Sequence, residues 1–254
     1  MIAAAHRAGT GLISDQARIA SLTIQSKAGA ADMFSEADLR AEESVRAALL
    51  AHAPSYGFLG EEGGLQPGSD PANVWIVDPL DGTANFLTGS PLFAVNIALA
   101  RGGLPIAGVT FVPRLNELFW AEEGEGAWLN DEPIRISSRA TLGEAVLGVG
   151  IPFATKPDHS QFHVEMQRLT ERVTGIRRVG AGAIDMAWVA CGRYDAYWEQ
   201  SVSAWDMAAG AVIVREAGGL VTGTLGEPLD LMGGTVLAAT PAIQAELLKA
   251  LERI

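Results

Sequence analysis

The pattern that most constrains the fold begins at Phe93, where short apolar runs are each ended by Gly, Pro or Asn. The runs are FAVNIALARGG, LPIAGVTFVP and NELFWAEEGEGAWLNDEPIRI. Strands this close together in the sequence leave no room for a crossover helix, so the pattern predicts an antiparallel meander. In the second half of the chain, apolar strands alternate with helical patterns, which predicts a mixed α/β arrangement.

Helical patterns fill much of the remaining sequence. One covers about the first twenty residues, and a second begins after Ser35 and stops at Pro54. Between the helices and the meander, NVWIVDP predicts a short strand that Pro79 ends. We expect an N-terminal half, 1–140, and a C-terminal half, 141–254, packed into one compact layered α/β unit.

The composition excludes several classes of protein. The formal net charge of −12 argues against binding to nucleic acid or to anionic lipid. No apolar run approaches the roughly 18 residues that cross a bilayer, and the N-terminus does not resemble a signal peptide. The single cysteine, Cys191, fits a reducing compartment. We therefore expect a soluble cytoplasmic protein that binds neither a membrane nor nucleic acid.

The stretch WIVDPLDGTANF places Asp78 and Asp81 three residues apart at the end of an apolar strand. Pro79 fixes the backbone so that the chain turns, and Gly82 permits a close backbone approach. Thr83 can begin a short helix whose free N–H groups would hold a phosphate. Mg²⁺ prefers such oxygen ligands. A turn with two solvated aspartates is the commoner explanation of an isolated DxxD pattern.

Other acidic motifs each have an ordinary structural explanation when taken alone. Glu61 and Glu62 in FLGEEGG fit a charged surface turn. Ser35 and Asp38 in SEAD fit a helix capping box with Asp in place of Glu. Asp206 in SAWDMAAG fits the N-cap of an apolar helix. Only their combination is specific.

In chain order, SEAD, GEE, DPLDGT and WDMAAG followed by EAGG resemble the motifs of the inositol monophosphatase family, of the bacterial type. The family belongs to the Mg²⁺-dependent, lithium-sensitive phosphatases, and the resemblance covers nearly the whole chain. It implies a layered αβαβα sugar-phosphatase fold. An antiparallel meander sheet would lie in the first half and a mixed α/β arrangement in the second. It also implies a metal-dependent phosphoric monoester hydrolase with two or three Mg²⁺ ions per active site.

The resemblance assigns the metal ligands and the water-orienting residues. The ligands would be Glu61, Asp78, Asp81, Asp206 and the backbone carbonyl of Leu80. Asp78 would bridge two ions, and Glu61 would also hold the ion that activates water. Asp38 would hydrogen-bond Thr83, and this pair would orient the attacking water. Glu61, Asp38 and Thr83 are therefore the expected catalytic residues.

The resemblance also assigns substrate contacts. Backbone amides of Gly82 and Thr83 would bind the phosphate, and Glu199 would hold a substrate hydroxyl. The full expected set of substrate-binding residues is Asp81, Gly82, Thr83, Gly180, Ala181, Gly182, Glu199 and Asp206. Lys27 falls in the mobile loop that approaches the metal site in the family.

The implied reaction is hydrolysis of inositol 1-phosphate to inositol and phosphate by metal-activated water. Ala181 stands where the family often has Ser or Thr, which weakens any strict specificity for inositol. Histidinol phosphate, fructose 1,6-bisphosphate and adenosine 3′,5′-bisphosphate are alternative substrates. A different class of function is a non-catalytic regulatory protein that associates with the transcription machinery. The family also suggests a homodimer.

Overall fold

The helices of this computed structural model lie within the residues it describes, 1–26, 33–152, 156–157 and 159–253. Lys27, predicted to approach the metal site, lies outside them. The helices are α1 (Ile2–Gln16), α2 (Glu36–His52), α3 (Thr83–Leu87), α4 (His159–Thr170), α5 (Gly182–Ala190), α6 (Ala204–Glu216) and α7 (Pro241–Leu251). Among the described residues, no helix is both long enough and apolar enough to span a bilayer.

The strands form a small hairpin and two larger sheets. The hairpin pairs β1 (Ile24–Ser26) with β2 (Met33–Ser35). The first large sheet has eight strands in the order β10-β9-β8-β7-β6-β5-β3-β4. Its strands are β3 (Tyr56–Gly60), β4 (Gly64–Gln66), β5 (Asp70–Asp81), β6 (Ala94–Arg101), β7 (Leu104–Val112), β8 (Glu117–Glu122), β9 (Ala127–Leu129) and β10 (Glu132–Ile134). Strands β6 to β10 pair consecutively and antiparallel, so the predicted meander is confirmed.

The second large sheet is mixed, as the sequence predicts. Its five strands lie in the order β12-β11-β13-β15-β14. They are β11 (Val146–Val149), β12 (Gly175–Arg177), β13 (Ala196–Gln200), β14 (Leu220–Thr222) and β15 (Thr235–Ala239). Strand β11 is parallel to both of its neighbours, whereas β15 is antiparallel to both of its neighbours.

Five layers result from the packing of these elements. Helices α1 and α2 cover one face of the eight-stranded sheet, and α5 and α6 cover the other. Helices α5 and α6 also contact the five-stranded sheet, whose outer face packs against α4 and α7. The sequence of α6 is apolar almost all round because the helix is enclosed between two sheets. The predicted layered αβαβα arrangement is confirmed, and the division at residue 140 stays a prediction.

Two local expectations are wrong. Strand β5 continues past Pro79 to Asp81, and its pairing with β6 is irregular between Asp78 and Asp81. This irregularity takes Pro79 out of the hydrogen-bonded ladder, where its missing N–H would otherwise cost a bond. The N-cap of α6 is Ser203, and Asp206 is the third helical residue, whose carboxylate accepts the Ser203 N–H at 2.7 Å.

Candidate active site

The end of β5 brings two aspartates, the buried Asp78 and the partly buried Asp81, to a cleft between the sheets. Asp78 is 2 % exposed, and its Oδ1 accepts the Leu80 N–H at 2.9 Å. Asp81 Oδ2 accepts the Ala183 N–H at 2.8 Å, which joins the turn to the first turn of α5. Leu80 is 1 % exposed, so its side chain belongs to the core, while its carbonyl remains in the turn.

The turn is completed by Gly82, which is the N-cap of α3. Gly82 has a φ of +87°, and a Cβ there would lie 3.1 Å from the Cβ of Ala181. Only glycine combines this backbone conformation with such a close approach. Asn85 in α3 donates to Leu92 O at 2.7 Å and to Val179 O at 3.0 Å. The short helix is thereby fixed against the segment that precedes α5.

The start of α2 reaches the same turn through Asp38. Ser35 and Asp38 form the predicted capping box, with the Ser35 N–H donating to Asp38 Oδ2 at 2.8 Å. The Thr83 hydroxyl lies 3.1 Å from both Asp38 Oδ1 and Leu80 O, and it donates to these acceptors. Burial raises the pKa of Asp38, while its hydrogen bonds to Ser35 and Thr83 lower it. The expected contact between Asp38 and Thr83 is present.

Glu61 enters the cleft from the end of β3, which runs parallel to β5. Its N–H donates to Val77 O at 3.1 Å, so Glu61 and Asp78 emerge at the same sheet edge. The loop after it is held by Glu42 of α2, whose carboxylate accepts the N–H groups of Glu62 and Gly63, each at 2.8 Å. The sequence reasoning missed Glu42, although its spacing of four from Asp38 places both on one helix face.

Asp206 enters from the start of α6 on the opposite side. Asn96 of β6 donates to Trp205 O at 2.6 Å, and its own Oδ1 accepts the Thr110 hydroxyl at 2.7 Å. These contacts seat the first turn of α6 on the eight-stranded sheet. Asn96, 1 % exposed, is a second supporting residue that the sequence reasoning missed, because it lies within an apolar strand.

The acidic residues act on one another electrostatically. The pKa of Asp78 is raised well above its usual range, first by burial and then by Glu61, Asp81 and Asp206. The pKa of Asp81 is raised well above its usual range, first by burial and then by Asp206. Several carboxylates are therefore held close together with too little positive charge around them.

This donor set fits a hard divalent cation such as Mg²⁺, which prefers carboxylate and carbonyl oxygens. Among the residues that the structure describes, no three histidine, cysteine or acidic side chains are already grouped tightly enough to enclose an ion. One oxygen of Asp78 and one of Asp81 already accept backbone N–H groups, so each carboxylate has its other oxygen left to offer. The chemistry of the donor set nevertheless fits, because Glu61, Asp81 and Asp206 line one cleft and Asp78 lies close enough to Glu61 to share a hydrogen bond with it.

The cleft has a volume of about 800 Å³. Besides Glu61, Asp81 and Asp206, its lining includes the other expected substrate-binding residues, which are Gly82, Thr83, Gly180, Ala181, Gly182 and Glu199. The structure therefore brings all the described candidates to one place except Asp38, Asp78 and Leu80, which lie directly behind the lining. Lys156, Arg178 and Asp185 also line the cleft and were not expected.

Glu199 lies on the wall of the cleft formed by β13. It accepts a hydrogen bond from the Tyr197 hydroxyl. Burial raises the pKa of Glu199, while Tyr197, Lys156 and Arg178 lower it. A Cβ at Gly150 would overlap the Glu199 carboxylate, so a residue without a side chain is required beside it. This requirement could not be seen in the sequence.

The sequence pattern that describes the inositol monophosphatase family matches residues 1–254. The chain belongs to the inositol monophosphatase family. An inositol-1-monophosphatase of Caulobacter vibrioides is 46% identical over 254 residues, which are 99% of this chain and 99% of that protein.

Two further relatives carry different names. A protein of Pseudomonas aeruginosa named Nus factor SuhB is 42% identical over 92% of this chain and 88% of its own length. The crystal structure of the extragenic suppressor protein suhB from Bartonella henselae superposes with a TM-score of 0.96. It is 42% identical, with 99% of this chain and 96% of that chain covered. The family fold therefore extends over the chain.

Proposed function

We propose that this protein is a Mg²⁺-dependent phosphatase of small phosphorylated polyols, with inositol 1-phosphate as its preferred substrate. The observation that carries the proposal is the convergence of Glu61, Asp78, Asp81 and Asp206 on one cleft beside the start of α3. Family membership and the name of the C. vibrioides relative support the choice of substrate.

The metal site that we propose uses the acidic residues that line the cleft, together with Asp78 beside them. Its ligands are Glu61, Asp78, the carbonyl of Leu80, Asp81 and Asp206, with two or three ions. When bound, Mg²⁺ neutralises phosphate charge, acidifies water and stabilises a leaving alkoxide. The same ions offset the repulsion among the carboxylates, which otherwise destabilises the folded cleft.

The chain's own residues orient the reactants. The backbone N–H groups of Gly82 and Thr83 donate to the phosphate, since the first amides of a helix have no partner within it. Thr83 and Asp38 orient the attacking water, and Asp38 is held for this task by its two bonds from Ser35. Glu199, with Gly180, Ala181 and Gly182, lines the side of the cleft that receives the alcohol.

A substrate panel at saturating Mg²⁺ tests the proposal. Wild-type protein should release phosphate from inositol 1-phosphate faster than from histidinol phosphate, fructose 1,6-bisphosphate or adenosine 3′,5′-bisphosphate. Asp78→Asn and Asp206→Asn should each abolish release, whereas Asp131→Asn, at an exposed turn, should not change it. Undiminished release by both ligand variants would contradict the metal mechanism.

Competing cations give a second test of the same site. Li⁺ and Ca²⁺ should both inhibit, because Ca²⁺ tolerates a looser coordination and does not place the water correctly. The measurement is initial rate against each ion at fixed Mg²⁺. Indifference to both ions would count against the assignment.

A regulatory role is the second candidate function, and the name of the P. aeruginosa relative favours it. The corresponding proposal is that the protein also associates with the transcription machinery. A wild-type protein that released no phosphate from the whole panel would favour this role over catalysis.

We also propose that the protein acts as a homodimer in the cytoplasm. The single cysteine of the chain supports a reducing compartment. The net charge of −12 supports the absence of nucleic-acid and anionic-membrane partners. Sedimentation of the purified protein measures its oligomeric state.

A further inference from the structure

Asp185 of α5 is a buried acid in the cleft wall that the proposed reaction does not use. It is 1 % exposed and lines the cleft, and its Oδ1 is buried without a hydrogen-bond partner. A buried polar atom left without a partner typically costs about 1–3 kcal/mol, so native proteins contain few of them. The oxygen itself is covered, but Asp185 belongs to the cleft lining, so a turn of its side chain would present the unpartnered oxygen to a group bound there.

Arg178 also lines the cleft, on the same wall as Asp185. Among the described residues, its guanidinium has no hydrogen-bond acceptor, although it acts electrostatically on Asp185 and Glu199. It lies over Gly180, where a Cβ would be 2.6 Å from Arg178 Nη1. Gly180 in turn lies against Gly82, since its carbonyl oxygen is 3.3 Å from the position that a Cβ of Gly82 would take. Through Gly180, Arg178 is therefore close to the turn that is proposed to bind the phosphate.

The distance between Asp185 and Glu199 can be judged from the two glycines that they contact, one in strand β11 and one directly after it. A Cβ at Gly148 would lie 2.7 Å from Asp185 Oδ1, and a Cβ at Gly150 would overlap the Glu199 carboxylate. Residues two apart on an extended strand share a face and are separated by about 7 Å. Asp185 and Glu199 are therefore positioned to contact different atoms of one small ligand.

The mixture of groups on this wall indicates what kind of ligand fits it. A hydroxyl both donates and accepts, so it can donate to a carboxylate while it accepts from a guanidinium. A second phosphate or carboxylate on the substrate would meet Arg178 but would be repelled by Asp185 and Glu199. The wall therefore suits a polyol better than a second anionic group.

We propose that Asp185 and Arg178 are specificity-determining residues which, together with Glu199, hydrogen-bond at least two hydroxyls of a phosphorylated polyol. The inference rests on the proposed phosphatase activity and adds the residues that select the alcohol. A substrate without hydroxyls beyond its ester gains nothing from these contacts. The two residues thus act on the choice among esters and leave the hydrolytic step itself unchanged.

The test compares inositol 1-phosphate with phenyl phosphate, which has no such hydroxyl, at saturating Mg²⁺. Arg178→Gln and Asp185→Asn should raise KM for inositol 1-phosphate by roughly ten- to a hundredfold. For phenyl phosphate, kcat/KM should stay within about twofold, because no contact is lost. Arg178→Lys should restore part of the affinity. Arg177→Gln is the matched control, since Arg177 is an exposed neighbour outside the cleft lining.

Binding of free inositol, measured by calorimetry at saturating Mg²⁺, gives a readout that does not depend on turnover, and its dissociation constant should rise in the same variants. Equal losses on both esters, or no change with inositol 1-phosphate, would overturn the inference. Arg178 is exposed, so its variants keep the test valid even if Asp185→Asn fails to fold. A wild type that hydrolyses both esters without preference contradicts this inference alone, whereas one that hydrolyses neither contradicts the proposed function itself.

Discussion

At the scale of single residues, the cleft depends on side chains that hold other groups in place. Thr83 is one of these, because its hydroxyl joins the turn after β5 to Asp38 at the start of α2. Glu42 is another, because its two oxygens fix the loop that carries Glu61. We therefore expect single substitutions of Thr83 or Glu42 to change the catalytic rate or the Mg²⁺ requirement more than the stability of the fold.

Replacing Thr83 by Val should lower kcat by about ten- to a hundredfold while the protein stays folded. The methyl group keeps the volume but removes the hydroxyl that would orient water with Asp38. Thr88→Val is the matched control, because the exposed Thr88 hydroxyl bonds only to carbonyls of its own helix. Steady-state kinetics on inositol 1-phosphate measure the effect, and equal rates for the two variants would contradict it.

Replacing Glu42 by Gln should raise the Mg²⁺ concentration needed for half-maximal activity by about tenfold. The amide has one acceptor oxygen, so either the Glu62 or the Gly63 N–H loses its partner and Glu61 is held less firmly. Glu43→Gln should leave the Mg²⁺ requirement unchanged, since Glu43 is exposed and pairs with Arg46. A Mg²⁺ titration that gives the same midpoint for both variants would show that Glu42 does not position Glu61.

At the scale of elements, Glu165 joins α4 to the strand that carries Glu199. Its Oε2 accepts the Trp198 indole N–H at 2.9 Å, and its Oε1 accepts the Gln200 amide at 2.7 Å. Both donors flank Glu199, which points to the other face of β13 because side chains alternate along a strand. Helix α4 therefore supports the cleft wall from behind.

This contact predicts a pH dependence of stability. Burial raises the pKa of Glu165 above its ordinary value of 4.5. At pH values between 4.5 and the raised pKa, Glu165 is protonated in the folded protein and ionised in the unfolded chain. The contribution of Glu165 to the free energy of unfolding therefore falls as the pH rises through this range. Glu165→Gln should therefore reduce the difference in Tm between about pH 5 and about pH 7. Glu171→Gln, at an exposed residue, should leave that difference unchanged.

The elements also show what a sequence can and cannot predict. The meander and the capping box at Ser35 follow from local patterns, and the motif acids could be placed by resemblance. The continuation of β5 past Pro79 could not be predicted, because it depends on pairing with β6. The spacing of Glu42 from Asp38 indicates a shared helix face, but its contact with the loop after Glu61 could not be predicted. The place of Asp185 and Arg178 in the cleft lining could not be predicted either.

At the scale of the whole molecule, the cleft lies where both sheets and the enclosed helices α5 and α6 meet. Its cost is the removal of carboxylates from water and then the repulsion among them, which together raise the pKa of Asp78 and Asp81. The rest of the layered core offsets that cost. Stability and cation binding should therefore be linked in this protein.

Saturating Mg²⁺ should raise the Tm of the wild type above its value in a chelator, because a cation held by the folded cleft favours the folded state. In the chelator, Asp78→Asn should melt roughly 2–4 °C higher than the wild type, since one buried negative charge is removed. The Mg²⁺ effect should be smaller in this variant. Differential scanning calorimetry measures both, and a Tm independent of Mg²⁺ in the wild type would contradict the link.

The hydrogen bond from Ala183 to Asp81 spans 102 residues of sequence. A contact of this length closes a long loop, which costs more chain entropy than a local contact does. During synthesis, the ribosome releases SEAD, GEE and DPLDGT long before Asp206 exists. If these acids bind the cation as proposed, a nascent chain carries most of them without a complete pocket, and we expect it to retain neither cation nor ester until α6 has emerged and docked between the sheets.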